Sequence, residues 1–429
     1  MASAFDQKSA YERVKVRLKT RLFDLLDSNG HHQAPNGVVR KQIEENLRQV
    51  VKGLPDDFRD LQLSPEQEAQ LVAEVVDDVV GFGPLDKLLA DDTVTEIMVN
   101  GPYEIFVERS GKLTRSEDKF RDTQHLMMVI ERILQRVNLA VTESEPLCDA
   151  SLPDGTRINV IIPPLVLNGP VITIRTKSRS WSMADYVKAG GISQQVADFL
   201  VLCVKAKVNL VVSGGTSTGK TTLVSVLSQE IPNDERIITI ENVAELELPG
   251  REHWIRLVAK AANLEGKGEV PLRALVKNAL RMRPDRLILG EARGGEALDV
   301  IQAMHSGHDG VMTVLHANTP RAALERLQTL MLMSGLDLPP EACRMQIASS
   351  VDLVIHISRY ADGSRHVAAI SQVLDATAEG FKLEELFVFE SGGYSADGKL
   401  QGTHRYTGAK AKVVDKFRLA NLEIPSWLT

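Results

Sequence analysis

Apolar positions change their period along the chain, and each period predicts a different kind of element. Over residues 1–78 they recur at helical spacing: Tyr11, Val14, Leu18, Leu22 and Leu25 share one face, while Arg13, Lys15, Arg17, Lys19 and Arg21 crowd the same segment. That spacing predicts a helical N-terminal extension, packed on its apolar side and solvated on its charged side. Residues 79–177 mix strand-like runs (Val94–Asn100, Ile105–Arg109, Ile158–Ile162 and Val171–Thr176) with a helix over Asp122–Val137, on which Leu126, Ile130, Ile133 and Val137 share a face. An α+β domain is expected there.

Residues 178–190 read as a linker with a short helix that Ser182 can cap. From 191 to 390 the rhythm alternates. Asn209–Ser213, Arg236–Ile240, Arg286–Leu289, Val311–Leu315 and Val351–Ile357 are short, continuous apolar runs, and helical stretches fall between most of them. Continuous apolar strands alternating with helices predict an α/β domain, a parallel sheet covered by helices. Asp362-Gly363 marks a hairpin over Tyr360–His366. Residues 391–429 begin Gly-rich and read as a peripheral tail.

Composition narrows the class. A chain of 429 residues is long enough for two or three domains, and 43% apolar with 25% charged residues is ordinary for a globular protein. The formal net charge of −7 does not favour nucleic acid as a partner. Cys148, Cys203 and Cys343 stand far apart, so no zinc site is expected. No apolar run approaches the roughly 18–20 residues that span a bilayer, and the opening MASAFDQKSAYERVKVRLK has no secretory core. The expected location is cytoplasmic, with any membrane association made through a partner or a surface helix.

The chemistry begins where the first apolar run of the alternating region ends. Gly214, Gly215, Thr216, Ser217, Thr218, Gly219, Lys220, Thr221 and Thr222 fit G-x-x-x-x-G-K-[ST] without a gap. Glycines let backbone N–H groups approach phosphates, the following helix aims its free N–H groups at the same anion, and lysine adds positive charge near the β- and γ-phosphates. The Thr221 hydroxyl is a candidate ligand of Mg²⁺. The strand before the loop and the helix after it make ATP the expected ligand.

Hydrolysis needs acids to hold the metal and orient water. Glu291 ends the run Arg286–Leu289-Gly290, where many P-loop enzymes carry Asp before the acid. With Gly290 there, Glu291 reads as the water-orienting base more than as the main metal ligand. Glu241 and Glu245 follow another strand and can complete the metal shell or orient water. His308 and His316 flank the run Val311–Leu315 and are candidate sensors of the γ-phosphate. Thr319 and Pro320 cap and open the next helix, so His316 sits at a strand end, where ligands gather in parallel sheets.

The run RMRPDRLILGEARGGEALDVIQAMHSGHDGVMTVLHANTPRAALERL at 281–327, with VTEIMVNGP at 94–102 and LPDGTRINVIIPP at 152–164, resembles the type II/IV secretion ATPase superfamily, and within it the tight-adherence (Flp) pilus assembly branch, CpaF. The resemblance spans about residues 80–360. It implies a homohexameric ring, a RecA-like C-terminal domain, ATP gripped between two domains, and an inner-membrane platform protein as partner. Carried over, Gly214–Thr222 is the Walker A loop, Glu241–Glu245 the Asp box, Glu291 the Walker B acid and His308–His316 the His box. Asn242 departs from the family's acidic residue. The resemblance also implies arginines that reach the phosphates, for which Arg157 and Arg175 are the candidates and Arg281, Arg283 and Arg293 the alternatives. The four-cysteine zinc insertion of type II motors is absent. The implied function is ATP hydrolysis driving assembly, and also retraction, of a tight-adherence pilus. A type IV secretion or conjugation motor and a nucleotide-gated scaffold of low turnover remain open.

Overall fold

The structure, a computed structural model, describes residues 81–429 except 110, 138, 153–154, 177–180, 261–266 and 429, and before these residues 14, 18, 64, 66, 67, 69, 71, 72, 75 and 76. The helical extension expected over 1–78 therefore falls largely outside the described residues. Of its apolar face, Val14 and Leu18 are described, and both are helical and buried. The chain divides into two compact units, Met1–Ser178 and Arg179–Thr429.

In the first unit, helices α1 (Leu85–Leu89) and α2 (Thr123–Gln135) accompany strands β1 (Val94–Asn100), β2 (Ile105–Arg109), β3 (Lys112–Arg115), β4 (Leu147–Ser151), β5 (Arg157–Ile161) and β6 (Val171–Arg175). The strands form one sheet in the order β3-β2-β1-β6-β5-β4. Each strand pair is antiparallel. Alternation puts Ile97, Val99, Ile158, Val160, Ile172 and Ile174 on the core side. α2 answers them with Leu126, Val129, Ile130 and Ile133. Asp122 caps α2 by accepting the His125 N–H at 2.7 Å, which sets where the helix starts.

The second unit opens on α3 (Met183–Lys188), where Ser182 makes a reciprocal capping box with Asp185. Tyr186 of α3 is buried in the unit's core. Then follow α4 (Gln194–Lys205), β7 (Leu210–Gly214), α5 (Lys220–Gln229), β8 (Ile237–Glu241), β9 (Trp254–Val258), α6 (Leu272–Ala279), β10 (Arg286–Leu289), α7 (Glu296–His305), β11 (Met312–His316), α8 (Pro320–Leu332), α9 (Pro340–Ser350), β12 (Leu353–Arg359), β13 (Arg365–Thr377), β14 (Gly380–Tyr394), β15 (Leu400–Tyr406) and α10 (Val414–Leu419). The strands make one nine-stranded sheet, β15-β14-β13-β12-β7-β11-β10-β8-β9. From β12 to β9 every pairing is parallel, and from β12 outward to β15 every pairing is antiparallel.

Apart from the edge strand β9, the parallel strands are buried on both faces, as their continuous apolar runs require. Leu210 and Val212 enter one core with Phe199, Leu223 and Leu227 from α4 and α5. Val211 points to the opposite core, where Val276, Leu298, Ile301, Leu324 and Ile347 arrive from α6 to α9. This is the RecA-like α/β arrangement, and β7, which feeds the phosphate loop, lies at its centre.

Residues 391–429 are not peripheral. β14 continues through Glu390 to Tyr394 and pairs with β15. Phe417 of α10 is fully buried against Phe199, with ring centroids 6.1 Å apart, and Leu428 joins the same core. The apolar face of α10 is only Val414 and Phe417, too short a run for periodicity to reveal.

Candidate active site

The phosphate loop leaves the carboxyl end of β7, and sterics dictate its glycines. A Cβ on Gly214 would stand 2.4 Å from the Ile357 carbonyl oxygen and 2.7 Å from Thr218 Oγ1. Gly219 ends the loop in the left-handed region at φ 92° and hands over to α5. Lys220, the first residue of α5, is buried and folds back so that Nζ donates to the Gly215 carbonyl at 2.6 Å. Thr218 Oγ1 donates to the same carbonyl at 3.0 Å. Thr216 and Ser217 are exposed at the crest.

The acids come from the neighbouring strand ends. Glu241 closes β8 and is 3% exposed. Its Oε1 accepts the N–H groups of Glu245 and Leu246, each at 2.9 Å, while Oε2 is buried with no hydrogen-bond partner. Burial raises its pKa above the usual carboxylate value, against those two N–H bonds. Glu241 is thus a brace that bends the chain, and it is Glu245 that reaches the loop: Thr221 Oγ1 donates to Glu245 Oε2 at 3.2 Å. Of the two acids expected to help hold the metal, the one whose side chain meets Thr221 is Glu245. Gly290 has its reason here as well, because a Cβ on it would lie 2.8 Å from Glu241 Cγ. The space an Asp would fill beside Glu291 is occupied by the Glu241 side chain.

Glu291 is tied at both oxygens. Arg293 Nη2 donates to Oε2 at 2.8 Å, and His316 Nε2 lies 3.3 Å from Oε1. The other ring nitrogen of His316 lies 3.4 Å from Lys220 Nζ. Burial, then the Lys220 charge, lowers the His316 pKa. The neutral ring suits both contacts, with the Nε2 proton toward the carboxylate and the Nδ1 lone pair toward the ammonium, a tautomer assigned from the partners. Sheet order creates this chain of contacts: His316 pairs in register with Gly214 across β11 and β7.

Within the second unit, His308, Arg281 and Arg283 are not gathered here. His308 precedes β11, at the end of the sheet opposite the loop, and its Nδ1 faces Ser306 Oγ at 3.4 Å. Four residues of β11, Met312–Leu315, lie between the two histidines and span roughly 13 Å of strand. Arg281 and Arg283 precede β10, at that same opposite end. Arg157 and Arg175 belong to the first unit, where they sit directly across from each other on β5 and β6.

Pattern reading missed residues that reach the site from far along the chain. His356 of β12 is buried and its Nδ1 meets Ser213 Oγ at 3.0 Å, just before the loop. Burial, then the Lys220 charge, lowers its pKa. Glu296 accepts the N–H groups of Arg293 and Gly294 at 2.6 and 2.8 Å, fixing the turn after Glu291. Arg365 of β13 donates from Nε to the Ser217 carbonyl at 2.9 Å. The His356 and Arg365 contacts depend on strand order, which no local motif reports, whereas Glu296 acts within its own turn.

The site fits a magnesium nucleotide. The glycine cradle leaves the loop's backbone open to phosphate, a hydroxyl and a carboxylate stand together at Thr221 and Glu245, and hard oxygen donors are what Mg²⁺ takes. Among the described residues no group of three or more His, Cys, Asp or Glu could hold a metal ion. An ion delivered with the phosphates needs only one or two protein ligands.

A model of the family described as "Type II/IV secretion system protein" matches residues 78–386. A Mycobacterium tuberculosis protein named for conjugal transfer is 33% identical over 306 residues, which are 70% of this chain and 86% of that protein. The type IV secretion system protein VirB11 of Brucella suis is 34% identical over 316 residues, 67% of this chain and 88% of its own. The crystal structure of the Brucella suis VirB11 ATPase covers 67% of this chain and 95% of its own, with 32% identity and a TM-score of 0.38. The family match covers well over half of the 429 residues, so the chain belongs to the type II/IV secretion system protein family and is an ATP hydrolase.

Proposed function

We propose that this hydrolase is the motor subunit of a homohexameric ring at the cytoplasmic face of the inner membrane, driving assembly of a tight-adherence pilus of the CpaF type through a membrane platform protein. The observation that carries the hydrolytic part is the contact chain Lys220–His316–Glu291 with Glu245 on Thr221. Such a set of groups is suited to cleaving a phosphoanhydride rather than only holding it. The pilus branch rests on the residue pattern at 281–327, 94–102 and 152–164. Among the described residues no helix is long and apolar enough to cross a membrane, which is compatible with docking through a partner.

Each residue then has a part. The loop N–H groups and Lys220 bind the β- and γ-phosphates. Thr221 and Glu245 would hold Mg²⁺, which when bound with ATP offsets phosphate charge. Glu291 accepts a proton from the attacking water, and Arg293 and His316 hold its two oxygens so that the carboxylate plane is fixed. Residues 79–177 and 191–390 act as the two working domains, and Arg157 and Arg175 supply positive charge to the phosphates from the first.

A second reading is a type IV secretion or conjugation motor. The identities of 33–34% to proteins named for those systems favour it. One experiment separates the two. Lys220→Ala, placed in the chromosome of a strain that makes both machines, should abolish surface pili and leave DNA transfer intact. Loss of transfer with normal piliation would establish the second reading instead.

A further inference from the structure

We propose that Arg365 is a positioning residue for nucleotide binding, holding the crest of the phosphate loop in its binding shape. It bonds the loop's backbone, so its effect falls on nucleotide affinity. The inference rests on Gly214–Thr222 being the loop that binds ATP.

The crest contains two left-handed residues. Gly219 has φ 92°, and Ser217 has φ 57° although it carries a side chain. A left-handed conformation is disfavoured for residues with a Cβ, and such conformations persist at ligand sites only where the surroundings over-determine them. Within the loop, Thr218 Oγ1 and Lys220 Nζ both tie to Gly215, upstream of the crest. The Ser217 carbonyl takes its bond from Arg365 Nε at 2.9 Å. The Arg365 Cδ also lies 3.5 Å from where a Cβ on Gly219 would be, so one side chain spans both left-handed residues. A guanidinium donor makes this a charge-assisted bond, stronger than one between neutral groups.

Arg365 is itself held firmly. It begins β13 directly after a turn in which Asp362 Oδ1 accepts the Ser364 N–H at 2.9 Å and its O–H at 2.6 Å. Asp362 Oδ2 accepts the N–H of Leu400 at 2.8 Å, tying the turn to β15. On the other side, His366 Nδ1 meets the Gly190 carbonyl at 2.8 Å. The arginine therefore projects from a backbone fixed before and after it, as a positioning group requires.

The test is a mutant cycle on the full chain, read by steady-state ATP hydrolysis and by equilibrium binding of a fluorescent ADP analogue. Arg365→Ala should raise KM and the ADP Kd about tenfold or more, the scale of a charge-assisted hydrogen bond, with a much smaller change in kcat. On the Ser217→Gly background the same substitution should cost about a third as much or less, because glycine adopts the crest conformation without strain. Arg365→Gln keeps the stem and a neutral donor, should fall between, and carries the cycle if the alanine variant melts early. An equal penalty on both backgrounds, an unchanged KM, or a loss confined to kcat would overturn the proposal. Wild-type ADP binding by Lys220→Ala would instead remove the phosphate-loop reading beneath it.

Discussion

His316 Nε2 lies 3.3 Å from Glu291 Oε1, and the ring's other nitrogen lies 3.4 Å from Lys220 Nζ. One neutral imidazole thus connects the lysine of the phosphate loop to the carboxylate proposed as the proton acceptor. Removing the ring frees one oxygen of Glu291 while Arg293 still holds the other. His316→Ala should lower kcat roughly 10- to 100-fold, the worth of one charge-assisted hydrogen bond, with a smaller change in KM. Glu291→Gln keeps the shape and removes the proton acceptor, so kcat should fall roughly 10²–10⁴-fold with ATP binding retained. Steady-state kinetics beside a direct binding assay separates the two effects. A His316→Ala variant whose defect lay wholly in KM would contradict this role.

Gly290 is a position where imitating other P-loop enzymes should fail. A Cβ there lies 2.8 Å from Glu241 Cγ, so Gly290→Asp must push Glu241 off the two N–H groups it holds. Glu245 would then lose its place beside Thr221. The substitution should cost about 1–3 kcal/mol in stability by overpacking and should lower turnover, not raise it. Chemical denaturation and ATPase rates check both parts. A gain in activity would show that Glu241 yields without cost.

That clash also shows what could be read in advance and what could not. The loop Gly214–Thr222 is contiguous, and the strands around it are unbroken apolar runs, so both are legible locally. The capping of α3 by Ser182 is local too. Glu245 over Glu241 as the residue on Thr221 was not legible. The choice depends on which carboxylate the backbone N–H groups capture, and Gly290 must vacate space from a different strand. His356 and Arg365 reach the loop from 143 and 148 residues away. His308 illustrates the converse: it is eight positions from His316, but a strand between them sends them to opposite ends of the sheet.

The histidines make stability depend on acid. Burial is the leading cause lowering the pKa of His316, His356, His366 and His404, the last to about 4 from an ordinary 6.5. The unfolded chain then binds more protons than the folded one below pH 6.5. Their contribution is complete above that pH and is lost as pH falls through the lowered values. Glu241, raised by burial, works in the opposite direction but is a single group. The melting temperature should therefore decline steadily from pH 6.5 toward pH 4, as calorimetry would show. A profile flat over that interval would mean that these rings are solvated.

The final residues provide a test of where the second core ends. Phe417 is fully buried and stacks at an angle against Phe199 of α4, which also touches Phe387 of β14 at 5.2 Å between centroids. Lys416, beside it, donates to Asp352 Oδ2 at 2.6 Å, and that same oxygen accepts the Asn209 N–H at the start of β7. The C-terminal helix is thereby connected to the strand that carries the phosphate loop. Phe417→Ala should destabilise the unit by about 3–5 kcal/mol, the usual cost of emptying a buried aromatic site. Lys416→Met keeps much of the stem and removes the ion pair, so it should cost far less. Urea titration of both variants would separate packing from charge. If the two losses were equal and small, residues 391–429 would be an appendage after all.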